Sequence, residues 1–127
     1  MPPTFLTLNE VLEIHRDQTE RYGGELGVRD VGLLQSALAM PQATFGGQHL
    51  HKDLLEMAAA YLFHVVQDHA FVDGNKRTGA VAAVVFLAMN GIDLEADQVG
   101  FEALVLDVAQ GKADKARIAE YFRRHGL

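Results

Sequence analysis

The stretch His69-Ala70-Phe71-Val72-Asp73-Gly74-Asn75-Lys76-Arg77-Thr78 is an island of polar groups between two apolar runs, Leu54 to Val66 and Gly79 to Met89. Neither run is the about 20 apolar residues that cross a bilayer. Strand alternation is missing, so both read as buried core helices. Asp53, with Glu56 three residues on, has the capping spacing and opens the first helix, which runs to about Asp68. Its face is apolar nearly all round, through Leu54, Leu55, Met57, Ala58, Tyr61, Leu62, Phe63, Val65 and Val66. That pattern places it at the centre of the fold. The second helix runs from about Asn75 to Asn90, and Gly91 closes it. Two central helices joined by a short polar turn make the chain all-α.

Helix signals continue outward on both sides. Thr7-Leu8-Asn9-Glu10 has the capping-box spacing and starts a helix with Val11, Ile14 and Tyr22 on its apolar face, ended by Gly23-Gly24. Asp30 caps another, holding Leu33, Leu34, Ala37 and Leu38, which Pro41 ends. Gln42 to His51, with Gly46-Gly47 at its centre, has turn chemistry and reads as a loop or short hairpin. Beyond the central pair, a helix near Asp97 to Gln110 carries Phe101, Leu104, Val105 and Val108. The last, near Asp114 to His125, carries Ile118, Tyr121 and Phe122, and its Arg123, Arg124 and His125 complement the helix dipole. The expectation is one compact bundle of about six helices, with residues 1–127 forming a single domain.

Composition narrows the function classes. Of the 127 residues, 49% are hydrophobic and 22% charged, a globular balance. No cysteine is present, which excludes a disulfide framework, a thiolate metal site and a cysteine nucleophile, and suits a reducing compartment. A net charge of −6 makes a poor general binder of DNA or of an anionic membrane, though a local cationic patch can still grip one phosphate group. The first residues show neither a basic start nor a cleavage site, so the expected location is cytoplasmic.

Each residue of the polar island has an ordinary explanation by itself. Asp73-Gly74 can be a turn, Asp73 or Asn75 a cap, Phe71 a core plug, and Lys76 and Arg77 solvated charges. Together they describe a phosphate site. A helix N-terminus presents unpaired N–H groups and partial positive charge. Gly74 permits the turn that aims them outward, and Asn75, Lys76 and Arg77 add donors and two charges. Asp73 can hold a magnesium ion whose other ligands are phosphate oxygens. His69, an imidazole, can take the proton of an attacking hydroxyl. Base, metal ligand and phosphate cradle within ten residues point to phosphoryl or nucleotidyl transfer. The spacing is not that of a Walker A loop, and no strand precedes it.

The island resembles the motif of the Fic/Doc family, H-x-F-x-[DE]-[GA]-N-[GK]-R-T. With each residue type near ~5% of usage, its eight fixed positions match by chance on the order of 10⁻¹⁰ per window. Arg21-Tyr22-Gly23-Gly24, Val28-Arg29-Asp30-Val31-Gly32-Leu33-Leu34, Gln42-Ala43-Thr44-Phe45-Gly46-Gly47 and Phe86-Leu87-Ala88-Met89-Asn90-Gly91 are similar to death-on-curing (Doc) toxins, extending the resemblance from about Leu8 to Leu127. The resemblance implies the all-helical Fic fold, with residues 42–51 as a flap that docks an extended target segment by strand addition. It also implies an ATP-dependent protein kinase that modifies a threonine of elongation factor Tu and arrests translation. In that reading His69 is the catalytic base, Asp73 the Mg²⁺ ligand, and Gly74, Asn75, Lys76 and Arg77 the phosphate grip. Most Fic proteins carry glycine where Lys76 stands and transfer AMP from ATP, which is the alternative here. A helical interaction module that has kept the loop is another.

Two departures from the family pattern bear on this. Its second arginine is Ala80 here, and the inhibitory [ST]-x-x-x-E helix that pairs with that arginine is absent. By resemblance, restraint then comes from a separate antitoxin whose disordered tail folds into a groove. The other departure is Gly74, where the founding toxin type has alanine. Among the remaining histidines, His49 and His51 in the flap are a weak metal pair. His64 reads as a satisfied core residue, and His15 and His125 as surface or cap residues. Met40, Met57 and Met89 read as packing.

Overall fold

Short polar side chains that can accept from a free backbone N–H start five of the six α-helices in a computed structural model, which describes residues 2–127. In α1 (Leu8–Tyr22), Thr7 Oγ1 accepts from Glu10 N and Glu10 Oε1 accepts from Thr7 N, completing the capping box. Asp30 caps α2 (Val31–Ala39) and Asp53 caps α3 (Leu54–Asp68). Asp97 caps α5 (Gln98–Ala109) and Asp114 caps α6 (Lys115–His125). The exception is α4 (Asn75–Met89), which begins after Gly74 with no side-chain cap. The all-α expectation and the six helices are observed.

Two details differ from the sequence reading, at Tyr22 and Pro41, and a third settles an alternative it left open. Tyr22 is 66% exposed, and the buried face of α1 is made by Val11 and His15. Pro41 does not stop the chain abruptly. It opens a 3₁₀ turn, Met40–Gln42, that prolongs α2 in a tighter winding where its missing N–H costs nothing. Residues 42–51 resolve to the hairpin alternative, β1 (Thr44–Phe45) antiparallel to β2 (Gln48–His49), with Phe45 opposite Gln48. Gly46 and Gly47 both have positive φ, as a two-residue hairpin turn requires.

The bundle is built around α3, whose residues Met57 to Leu62, Val65 and Val66 are buried. It packs most extensively on α4, then on α6 and α2. The α3–α4 approach is closest at Gly79, where an added Cβ would lie 2.8 Å from Val66 Cγ2 and 3.2 Å from the Leu62 carbonyl oxygen. Gly79→Ala should therefore destabilise the fold. Overpacking costs about 1–3 kcal/mol, more than the about 1 kcal/mol alanine gains in helix propensity. A thermal melt should show the midpoint lowered by about 4 °C. A midpoint at or above that of the parent would mean that the two helices have room to spare.

The contact between α3 and α6 has a polar centre. Lys115 Nζ lies 3.2 Å from His64 Nε2 and 3.4 Å from His51 Nε2. An ammonium only donates, so both imidazoles must present a bare Nε2 and be neutral. Burial, helped by Lys115, pushes His64 down to about 4 and lowers His51 as well. The unfolded chain therefore takes up these protons first as pH falls. Their contribution to stability is complete above about pH 6.5 and is lost progressively toward about pH 4. Because His64 is only half-buried, the loss by pH 5 is about 1 kcal/mol, or about 4 °C in melting midpoint. His64→Gln should flatten the midpoint profile between pH 7 and pH 5, and an unchanged slope would exclude this titration.

Candidate functional site

The loop between α3 and α4 is held from beneath by α1. Phe71 is 1% exposed, and the His15 ring stacks on it at 3.9 Å between centroids with the planes 7° apart. His15 Nε2 lies 2.7 Å from the Asp73 carbonyl oxygen, which only accepts, so Nε2 carries the proton. A residue expected at the surface is instead the platform under the motif. The pattern of α1 contained the signal: His15 falls four residues after buried Val11.

The loop is closed by Asn75. Its Oδ1 accepts from Phe71 N at 3.0 Å and its Nδ2 donates to Phe71 O at 3.1 Å. The side chain is 8% exposed, so the amide expected to grip phosphate is engaged within the loop. What Asn75 offers outward is its backbone N–H. Gly74 sits before it in the left-handed region, φ +79. The N–H groups of Asn75, Lys76 and Arg77 lie in the first turn of a helix without a side-chain cap and find no acceptor among the described residues.

Around that helix end stand the charged groups. Lys76 is exposed, and neither it nor Arg77 is ion-paired among the described residues. The Arg77 guanidinium donates from Nη2 to the Gly23 carbonyl at 3.0 Å and lies 5.6 Å from the centre of the Tyr22 ring. Asp73 is exposed, and its carboxylate meets only backbone donors, Gly74 N at 2.9 Å and Glu25 N at 3.3 Å. Gly24 lets these two side chains approach the end of α1, since a Cβ there would come within 2.7 Å of Asp73 Oδ2 and 3.4 Å of Arg77 Nη2.

His69 is the one non-glycine residue with positive φ (+49) among the described residues, and it terminates α3 with its side chain exposed. A left-handed conformation costs an L-residue about 1–2 kcal/mol, so the surroundings must hold it. Arg29 does so, donating from Nε at 2.9 Å and from Nη2 to the His69 carbonyl. The backbone N–H groups of Arg29 and Asp30 take the next carbonyl, that of Ala70, at 2.7 and 3.1 Å. Val72 N donates to Gly27 O at 3.0 Å, completing a strap of residues 27–30 along the motif. The pairing spans 40 residues, and no local pattern marks Arg29 for it.

The other candidates separate. His49 is exposed on β2, with its ring 6.0 Å from that of Phe5, whereas His51 is buried against Lys115. Among the described residues no three His, Cys, Asp or Glu are placed to hold a metal. His64 is satisfied by Lys115 as expected, and His125 packs against the Tyr121 ring at 4.3 Å. Met57 is buried, but Met89 is 38% exposed at the end of α4 and is not a packing residue. No helix among the described residues is long and apolar enough to cross a membrane.

The chain is similar in sequence to known proteins. Toxin Doc of Mycolicibacterium smegmatis is 53% identical over 76 residues, a match covering 60% of this chain and 58% of that protein, so it spans little more than half the relative's length. Protein kinase doc of Escherichia phage P1 is 31% identical over 115 residues, covering 91% of this chain and 90% of that protein. The Fic/DOC family model matches residues 5–87, from the segment before α1 into the last turn of α4, and so takes in the motif loop together with the α1 platform and the strap that hold it. The chain belongs to the Fic/DOC family.

Proposed function

We propose that this chain is a Doc-type toxin that transfers the γ-phosphate of ATP to a serine or threonine hydroxyl of another protein. The supporting observation is the uncapped start of α4. Three N–H groups without an acceptor and two cations without an ion pair, among the described residues, converge there beside a carboxylate engaged only by backbone N–H groups, while each of the other five α-helices is capped by the side chain of the residue before it. Such an end favours a phosphate group strongly. The names of the two relatives, a toxin and a protein kinase, fit this reading.

His69 accepts the proton as the hydroxyl oxygen bonds to the γ-phosphorus. The bond from that phosphorus to the bridging oxygen breaks, and ADP leaves with its electron pair. Lys76, Arg77 and the N–H groups of α4 hold the phosphate oxygens while charge shifts onto the leaving group. Asp73 suits Mg²⁺, being an exposed hard-oxygen donor engaged only by backbone N–H groups, with phosphate and water to complete the shell. Bound there, Mg²⁺ would neutralise phosphate charge. The β1–β2 hairpin has unpaired outer edges and an 84% exposed Phe45, features suited to docking an extended protein segment. A translation factor such as elongation factor Tu is the proposed target, and a separate antitoxin chain the proposed inhibitor, both in the cytoplasm.

The test is incubation of protein and target with ATP labelled at the γ or the α position. Label should reach the target from γ-labelled ATP alone. Label transferred only from the α position would make the reaction AMP transfer.

A further inference from the structure

Among the described residues the exposed His69 imidazole makes no hydrogen bond and stacks on no other ring. A general base is ordinarily oriented by a partner on its second ring nitrogen. Here the ring is aimed by the backbone instead. At φ +49 the Cα–Cβ bond of His69 leaves the end of α3 in a direction that helical backbone would not give it. Whatever holds that conformation therefore places the imidazole. The strap fixes the residues that follow, through Arg29 N and Asp30 N on the Ala70 carbonyl and Val72 N on the Gly27 carbonyl. On His69 itself, among the described residues, one side chain acts: Arg29 donates to its carbonyl from Nε at 2.9 Å and from Nη2. That fork starts from a fixed point. The N–H of Arg29 is bonded to Ala70 O at 2.7 Å, and the next residue, Asp30, caps α2. No ion pair among the described residues draws Arg29 elsewhere.

We propose that Arg29 is a positioning residue for His69, acting on the base through its carbonyl rather than its ring, a role that rests on the phosphate transfer of the proposed function. Rotation about φ carries the Cβ and the carbonyl of a residue together, so fixing the carbonyl fixes where the ring departs from the loop. A planar guanidinium suits the task. Two N–H groups on one oxygen set the direction of the carbonyl as well as its distance, which a single ammonium does not. Without the fork, the turn spends part of its time at negative φ, and in that fraction the imidazole is off the line to the hydroxyl. A misplacement of about 1 Å can cost about 10² in rate.

The experiment measures kcat and KM for γ-phosphate transfer in the parent, Arg29→Ala, His69→Asn and the double variant. Arg29→Ala should lower kcat about tenfold and leave KM for ATP at the parent value. Arg29→Lys, which keeps one donor, should recover part of the loss and stand about threefold below the parent; it carries the comparison if Arg29→Ala does not fold. In the His69→Asn background, losing Arg29 should cost nothing more, since no base is left to aim. Equal losses in both backgrounds would mean that Arg29 touches the substrate itself. An undiminished kcat in folded Arg29→Ala would mean that the ring finds its place unaided. Either result overturns the positioning role and leaves the phosphate site standing. A parent that transfers no γ-phosphate, or a His69→Asn protein as fast as the parent, would overturn the proposed function and this role with it.

Discussion

His69→Asn is expected to lower the rate of phosphate transfer about 10³-fold while the melting midpoint and ATP affinity stay at the parent values. A general base contributes 10²–10⁴ in rate, so the loss corresponds to about 4 kcal/mol in the barrier. The choice of substitution matters because His69 is left-handed, with φ +49. Alanine there adds backbone strain and confuses a chemical loss with a folding one. Asparagine tolerates that conformation better than most residues and cannot act as a base at neutral pH. The contact that holds the turn, Arg29 to the His69 carbonyl, is made to backbone and survives the change. Expressed in cells, the variant should lose growth arrest along with transfer. Undiminished transfer by a folded His69→Asn protein would remove His69 from the mechanism and require another base.

How much of this could be read in advance depended on how local the cause was. The caps Thr7, Asp30, Asp53, Asp97 and Asp114 lie within three residues of the N–H groups they satisfy, so the helix starts were legible to within a residue. The central place of α3 followed from its apolar circumference. The polar island was legible as the uncapped, charge-flanked start of a helix because a helix N-terminus and its flanking charges form a local object. What holds the loop was not. Arg29 and His15 act on carbonyls 40 and 58 residues away, and nothing in their own surroundings announces such a partner. His15 was the nearer miss, since it shares the buried face of α1 with Val11. Tyr22 misled for the opposite reason. It has apolar spacing, but it sits at the helix end beyond the core, where its ring serves the Arg77 guanidinium instead.

Under the proposed function, Asn75 separates a grip on phosphate made through side chains from one made through backbone. Its amide makes both of its hydrogen bonds to Phe71, in a setting where the residue is 8% exposed. Asn75→Ala leaves a buried N–H and a buried C=O without partners, each costing about 1–3 kcal/mol. The sum, about 3 kcal/mol, should lower the melting midpoint by about 12 °C. ATP affinity should fall as well, because the turn that aims the first N–H groups of α4 is no longer closed. The two losses should therefore travel together. Asn75→Asp sharpens the comparison, keeping the acceptor for Phe71 N while turning the donor that faces Phe71 O into a second acceptor. It should also lose midpoint, and its added negative charge should weaken ATP binding further than alanine does. An Asn75→Ala protein that melts like the parent yet binds ATP poorly would show that the amide itself reaches the phosphate, and the loop would then have to open on binding to release it.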